Sequence, residues 1–315
     1  MTTHEANPTL VLDHSIAAST ALQAVENAMF DVVNSEVSIL RDASRHILSA
    51  GGKRIRPRLL ILAYLACGGL NVERIAAPAA AVELMHTASV VHDDINDHGV
   101  LRRGRPSVNA VWGRTFALLT GDFLFTAVYQ LMAPYKDLNI ILARAATALV
   151  EGETLQAQAV KENNFTREVY ARIIALKTAA LFQAAGEMGA RLANAKPEVV
   201  EALSQYAYSL GMAFQIVDDI LDVIGDEAKL GKTAHIDADQ GRGFISIKDA
   251  PSNHSTADVM DSVKRKLMEG NRLAEARAQA RAFVDMAIMQ LDLLPASEAR
   301  QELVSLAESV IDRDH

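Results

Sequence analysis

Six aspartates fall in two clusters of the same spacing, Asp93-Asp94-Ile95-Asn96-Asp97 and Asp218-Asp219-Ile220-Leu221-Asp222. The outer members of each cluster are four residues apart, so on a helix they share a face. Each cluster closes a strongly apolar stretch, where the helix macrodipole is already negative and carboxylates need positive charge nearby. Oxygen ligands at this spacing suit hard divalent cations, and magnesium in particular is held by a few carboxylates together with substrate phosphates. A lone D-D-x-x-D is most often a solvated helix end. Two in like contexts can clamp one diphosphate through bridging metal ions.

The basic residues are grouped as well: Lys53, Arg54 and Arg56, then Arg102, Arg103 and Arg105, then Lys229 and Lys232. Arginine grips phosphate oxygens with a planar fork, and lysine acts as a compact point charge. Each group alone reads as an exposed loop. Beside two acidic clusters they point to a site for two anionic substrates.

The elements that must position these groups are helical. Of 315 residues, 50% are hydrophobic and only 5% aromatic, a composition that favours helices. Apolar residues recur at three- and four-residue spacing. The pattern predicts helices over about 13–49, 58–67, 72–97, 114–134, 137–161, 166–193 and 197–225. Gly51-Gly52 suits a helix stop, and Pro57 suits a first helical turn. Residues 225–256 read as a long ordered loop, with three shorter helices after it. No Pro- or Ser-rich linker divides the chain, so residues 1–315 are expected to form a single all-α domain, a bundle of about ten or more helices around a central cavity.

The net charge of −8 argues against general nucleic-acid binding. The longest apolar runs, such as Leu59 to Cys67 and Phe123 to Met132, fall short of a membrane span. The first residues lack the pattern of a secretory leader, and Cys67 is the only cysteine, so a reducing cytoplasm is expected.

The sequence resembles the trans-isoprenyl diphosphate synthase family, and within it the polyprenyl branch. The resemblance rests on Gly51-Gly52-Lys53-Arg54-Ile55-Arg56-Pro57, on Glu83-Leu84-Met85-His86-Thr87-Ala88-Ser89 running into the first cluster, and on Leu101-Arg102-Arg103-Gly104-Arg105-Pro106-Ser107. It continues through Gly121-Asp122, Lys177-Thr178-Ala179 and Phe214-Gln215 before the second cluster. It covers about residues 40–242, with a weaker match beyond. The resemblance implies that Asp93, Asp94, Asp97, Asp218, Asp219 and Asp222 hold magnesium on an allylic diphosphate contacted by Arg102, Lys177 and Lys232. It implies that Lys53, Arg56, His86 and Arg103 bind isopentenyl diphosphate, with Arg242 also at the substrates, and that Thr178 and Gln215 lie beside the reacting carbons. The reaction would ionise the allylic carbon–oxygen bond, add the double bond of isopentenyl diphosphate to the cation, and pass the lost proton to the departing diphosphate. A homodimer, formed through the apolar helices between about 114 and 160, is also implied. A long-chain product would bring transient contact with a bilayer surface.

Some positions depart from the family pattern. Thr233-Ala234-His235-Ile236-Asp237 stands where Pro-x-Gly-x-Asp is typical, Arg242 replaces Lys, and Phe244-Ile245-Ser246 replaces Thr-Leu-Pro. Asn109 and Arg114 differ more mildly, and His98 and Gly99 replace acidic or polar residues after the first cluster. Glu83-Leu84-Met85-His86 is also one half of the Glu-x-x-His pairs of di-metal bundles, but the second half is missing from the chain. A noncatalytic partner subunit would have eroded one acidic cluster, and both are intact. A terpene cyclase has no use for Lys53, Arg56 and Arg103.

Ala88 and Ser89 lie about one turn before Asp93, where a growing prenyl chain would pass, and both are small. The absence of a bulky residue there predicts a product longer than four isoprene units. Close helix packing would equally select small residues. Chromatography of the Ala88→Phe products decides: shortened chains are expected, and an unchanged length discards the idea.

Overall fold

The computed structural model describes residues 14–96, 98–162, 166–224 and 272–312. Its helices are α1 (His14–Val32), α2 (Ser38–Ser49), α3 (Ile55–Ala66), α4 (Glu73–Asn96), α5 (Val108–Trp112), α6 (Arg114–Met132), α7 (Lys136–Glu162), α8 (Arg167–Ile174), α9 (Ala180–Leu192), α10 (Pro197–Ile224), α11 (Arg272–Gln290) and α12 (Glu298–Ile311). The 225–256 loop expected from the sequence lies outside the described residues. Of the three shorter helices expected after it, α11 and α12 are described, joined by a 3-10 turn at Leu291–Leu293.

Helix α3 is apolar on every side, with each residue from Leu59 to Ala66 buried, as a helix enclosed by others must be. Helices α1, α4, α9 and α12 surround it. Helix α9 also packs on α10, and α10 on α11. One apolar core therefore runs without a break from Ala17 on α1 to Val310 on α12.

Three sequence expectations change. The 13–49 helix is two helices, because Asn34 and Ser35 turn the chain: Asn34 N–H bonds Asp31 O and Val37 N–H bonds Ser35 Oγ, the local side-chain competition that ends helices. The 58–67 helix begins earlier, at Ile55, after Arg54 in the left-handed region at φ 46°. The 166–193 helix is interrupted by a π turn at Ala175–Ala179. To the helices is added a small antiparallel pair, β1 (Leu101–Arg102) and β2 (Arg105–Pro106).

Helix α6 is long and apolar enough to cross a membrane, where the sequence runs seemed too short. Its Ala117, Gly121, Leu124, Val128 and Met132 are buried, and it packs extensively on α4, so it forms a wall of the bundle. Its other face exposes Phe116, Leu118, Leu119 and Tyr129.

Helix α4 carries the first acidic cluster through an internal proline. Pro78 has no N–H to give the carbonyl of Arg74 one turn back. The Tyr135 hydroxyl, from the α6–α7 connection, donates to that carbonyl at 3.2 Å. Tyr135→Phe should therefore lower stability by about 1 kcal/mol, read as a lower urea midpoint at constant slope. Adding Pro78→Ala, which restores the backbone donor, should recover the loss; no recovery would show that Tyr135 acts otherwise.

Candidate active site

The hairpin β1–β2 is a two-residue turn in which Arg103 (φ 51°) and Gly104 (φ 72°) both have positive φ, as tight antiparallel pairs require. It sends Arg102, at the end of β1, and Arg103, in the turn, in different directions. Arg102 forks onto Asp94 Oδ1, with Nη2 at 2.5 Å and Nε at 3.1 Å. Arg103 lies across Gly52, where a Cβ would stand 2.6 Å from its Nη1. The glycine pair after α2 thus ends a helix and also leaves room for a guanidinium.

The basic face is organised from beneath. Arg54 is buried and bonds Glu26 (2.6 Å), Glu83 (3.0 Å) and the carbonyl of Leu48 (3.0 Å). These bonds fix the junction between the loop that carries exposed Lys53 and the first turn of α3, which carries buried Arg56. The Arg56 guanidinium stacks 4.6 Å from the Phe182 ring centroid. Burial pushes it down to about 10, opposed by Glu83 and Asp218, so it stays charged at neutral pH. Its Nε has no hydrogen-bond partner among the described residues. His86, on α4, is pushed well down by burial and by Arg56, Arg103, Arg102 and Arg54, and is a neutral imidazole.

The π turn joins the two acidic clusters. Lys177 Nζ lies 2.7 Å from Glu153 Oε1 on α7 and 3.7 Å from Asp93 Oδ2 on α4, with Gln156 Oε1 at 3.5 Å. Burial and Asp93 push Glu153 up, and Lys177 opposes them. Gly152 permits this approach, since a Cβ there would meet the Lys177 backbone nitrogen at 2.7 Å. Next to Lys177, the Thr178 hydroxyl donates to Gln215 Oε1 at 2.7 Å, and Gln215 Nε2 donates to Asp219 Oδ1 at 2.9 Å. The Tyr170 hydroxyl donates to Asp219 Oδ2 at 2.5 Å, and Tyr170 is pushed well up by burial and by Asp219. π turns of this kind are common at functional sites.

Asp93, Asp94, Lys177, Thr178, Gln215 and Asp219 therefore form one connected arrangement, and Arg56 senses Asp218 from the basic side. Arg56, Arg102 and Arg103 gather around His86 on that side, and Lys53 stands in the loop just before α3. Asp97, Lys232 and Arg242 lie outside the described residues, as does the side chain of Asp222, whose backbone continues α10. Sequence reasoning missed Glu153, Tyr170 and the structural part of Arg54. It weighed Glu83 only as a metal ligand, whereas the structure makes it the buried counter-ion of Arg54.

The residues present fit a divalent cation. Asp94 is 1% exposed, and its Oδ2 has no hydrogen-bond partner among the described residues. Among those residues no three carboxylate or imidazole groups form a metal cage. An acceptor-only set at the ends of two helices suits an ion whose remaining ligands are phosphate oxygens.

A model of the polyprenyl synthetase family matches residues 37–279. The chain is 34% identical over 307 residues to an all-trans-nonaprenyl-diphosphate synthase (geranyl-diphosphate specific) of Rhodobacter capsulatus, covering 92% of this chain and 94% of that one. It is 33% identical to the octaprenyl diphosphate synthase of Escherichia coli, covering 93% and 96%. A crystal structure of polyprenyl synthase from Caulobacter crescentus, complexed with calcium and isoprenyl diphosphate, superposes with a TM-score of 0.89 at 32% identity, over 99% of this chain and 100% of that one. With its two aspartate clusters tied through one lysine-bearing turn, the chain belongs to the polyprenyl synthetase family and is a trans-prenyltransferase that joins isopentenyl diphosphate to an allylic diphosphate.

Proposed function

We propose that this prenyltransferase uses magnesium to ionise the allylic diphosphate between Asp93, Asp94, Asp97, Asp218, Asp219 and Asp222, and that it makes a polyprenyl product longer than four isoprene units. The observation that carries this reading is one π turn that reaches residues of both acidic clusters: Lys177 lies 3.7 Å from Asp93, and its neighbour Thr178 bonds Gln215, which bonds Asp219. The metal would supply charge that stabilises the departing diphosphate. Arg102 and Lys177, with Lys232, hold the same diphosphate. Fixed cations of this kind favour the state in which negative charge has developed on the leaving oxygen.

Lys53, Arg56, His86 and Arg103, with Arg242, bind isopentenyl diphosphate, and the unpaired Arg56 Nε is a donor suited to its phosphate. The Arg56 guanidinium lies on Phe182, whose ring meets Phe214 at 5.3 Å. That apolar wall keeps water from the allylic cation. Thr178 and Gln215 lie beside the carbons that join. The long product is supported by small, buried Ala88 and Ser89 and by the products named for the octaprenyl and nonaprenyl relatives.

A homodimer of one-domain chains completes the reading. Phe116, Leu118 and Leu119 on α6 and Ile140 and Val150 on α7 are exposed, the kind of apolar face that a second subunit covers. The lone Cys67 thiol, pushed up to about 11 by burial, suits a reducing cytoplasm. A long prenyl product supports passing contact with a bilayer.

Chelation of divalent ions should abolish incorporation of labelled isopentenyl diphosphate, and magnesium should restore it; activity that survives chelation refutes the metal role. Lys177→Ala should lower kcat about 10²-fold to 10³-fold with little change in KM for isopentenyl diphosphate. Phe116→Glu with Leu119→Glu should yield a monomer by light scattering, and a retained dimer would place the interface elsewhere.

A further inference from the structure

We propose that Tyr170 is a positioning residue for prenyl transfer: its hydroxyl fixes the Asp219 carboxylate, and through it the Gln215 amide and the Thr178 hydroxyl. The inference rests on the function proposed above and concerns a side chain outside both acidic clusters and all the basic groups.

The argument runs along one row of hydrogen bonds. A primary amide has a donor end and an acceptor end, and without a directing neighbour either can face a hydroxyl. Asp219 Oδ1 accepts from Gln215 Nε2 at 2.9 Å, and an ionised carboxylate only accepts. The amide is therefore oriented with its Oε1 toward Thr178, whose hydroxyl donates to it at 2.7 Å. That commits the Thr178 proton to Gln215 and leaves the hydroxyl oxygen as an acceptor.

Asp219 must itself be held. It sits in the last turns of α10, where the helix carbonyls make a carboxylate unfavourable, and it is 6% exposed. Tyr170 donates to its other oxygen at 2.5 Å. The tyrosine comes from α8, the segment before the π turn, and Thr178 lies within that turn. Both ends of the row thus belong to one stretch of chain folded around the α10 pair. The π turn places Tyr170 and Thr178 on either side of Gln215 and Asp219.

Tyr170→Phe keeps the ring and removes only the hydroxyl. We expect kcat to fall about tenfold, the loss of one hydrogen bond to a charged group, with KM for isopentenyl diphosphate within twofold of wild type. In calorimetry with magnesium, binding of an unreactive allylic thiodiphosphate should weaken several-fold, while the melting temperature falls by only a few degrees. A double-mutant cycle separates positioning from mere packing: in an Asp219→Asn background, Tyr170→Phe should have no further effect on kcat.

Losses that multiply in the cycle, a kcat within twofold of wild type, or a defect confined to KM for isopentenyl diphosphate would overturn the inference. So would a loss that tracks the melting temperature and disappears when the assay is cooled. A wild-type protein that makes no product would overturn the proposed function as well, whereas an active wild type with any of these results overturns this inference alone.

Discussion

Carboxylates gathered at the negative ends of two helices repel one another, and the surrounding structure is an answer to that repulsion. Asp93 and Asp94 end α4, and Asp218 and Asp219 approach the end of α10. Lys177 stands between Asp93 and Glu153, and Arg102 forks onto Asp94. Each countercharge comes from a segment with unusual backbone: a π turn for the lysine, a positive-φ hairpin for the arginine. Such conformations persist where the surroundings over-determine them, and they concentrate at sites of function.

The basic side solves the opposite problem. Arg54, Arg56, Arg103 and His86 crowd together; the buried Glu83 carboxylate offsets the three arginines from within α4, and Glu26 also pairs with Arg54. Three residues along the same helix, His86 stays neutral because it is buried and four guanidinium groups lie near it. Helix α4 thus carries a negative charge under the arginines and further negative charges at its C-terminal end. The Glu-x-x-His spacing that suggested a metal pair in the sequence is the spacing of a buried counter-ion and a neutral imidazole.

Much of this was legible because helix periodicity and fixed spacing are local. The aspartate clusters, Lys177-Thr178 and the Gly51-to-Pro57 loop announce themselves within a few residues. The break at Asn34-Ser35 was visible only as two polar residues in a helical pattern, and the pattern prevailed. A two-residue strand has no period to detect, so the Arg102–Arg105 hairpin read simply as an interruption. Glu153 and Tyr170 could not be found by spacing at all. Their partners lie on other helices, Lys177 on the turn before α9 and Asp219 on α10, and only packing brings them together. The π turn was hidden for a related reason, since one wide turn leaves the apolar repeat of 166–193 almost undisturbed.

The close passage of α7 over Lys177 has a mechanical consequence. Because Gly152 offers no side chain to act as a cushion, main chain rests on main chain, and the turn that carries the ammonium takes its location from the rigid bodies of two helices. Any sliding of α7 is delivered through that contact to the turn that carries Lys177. Catalytic geometry is sensitive to displacements of about 1 Å. The outer wall of the bundle is therefore part of the instrument that aims the lysine, and a subunit clasping that wall would steady the aim.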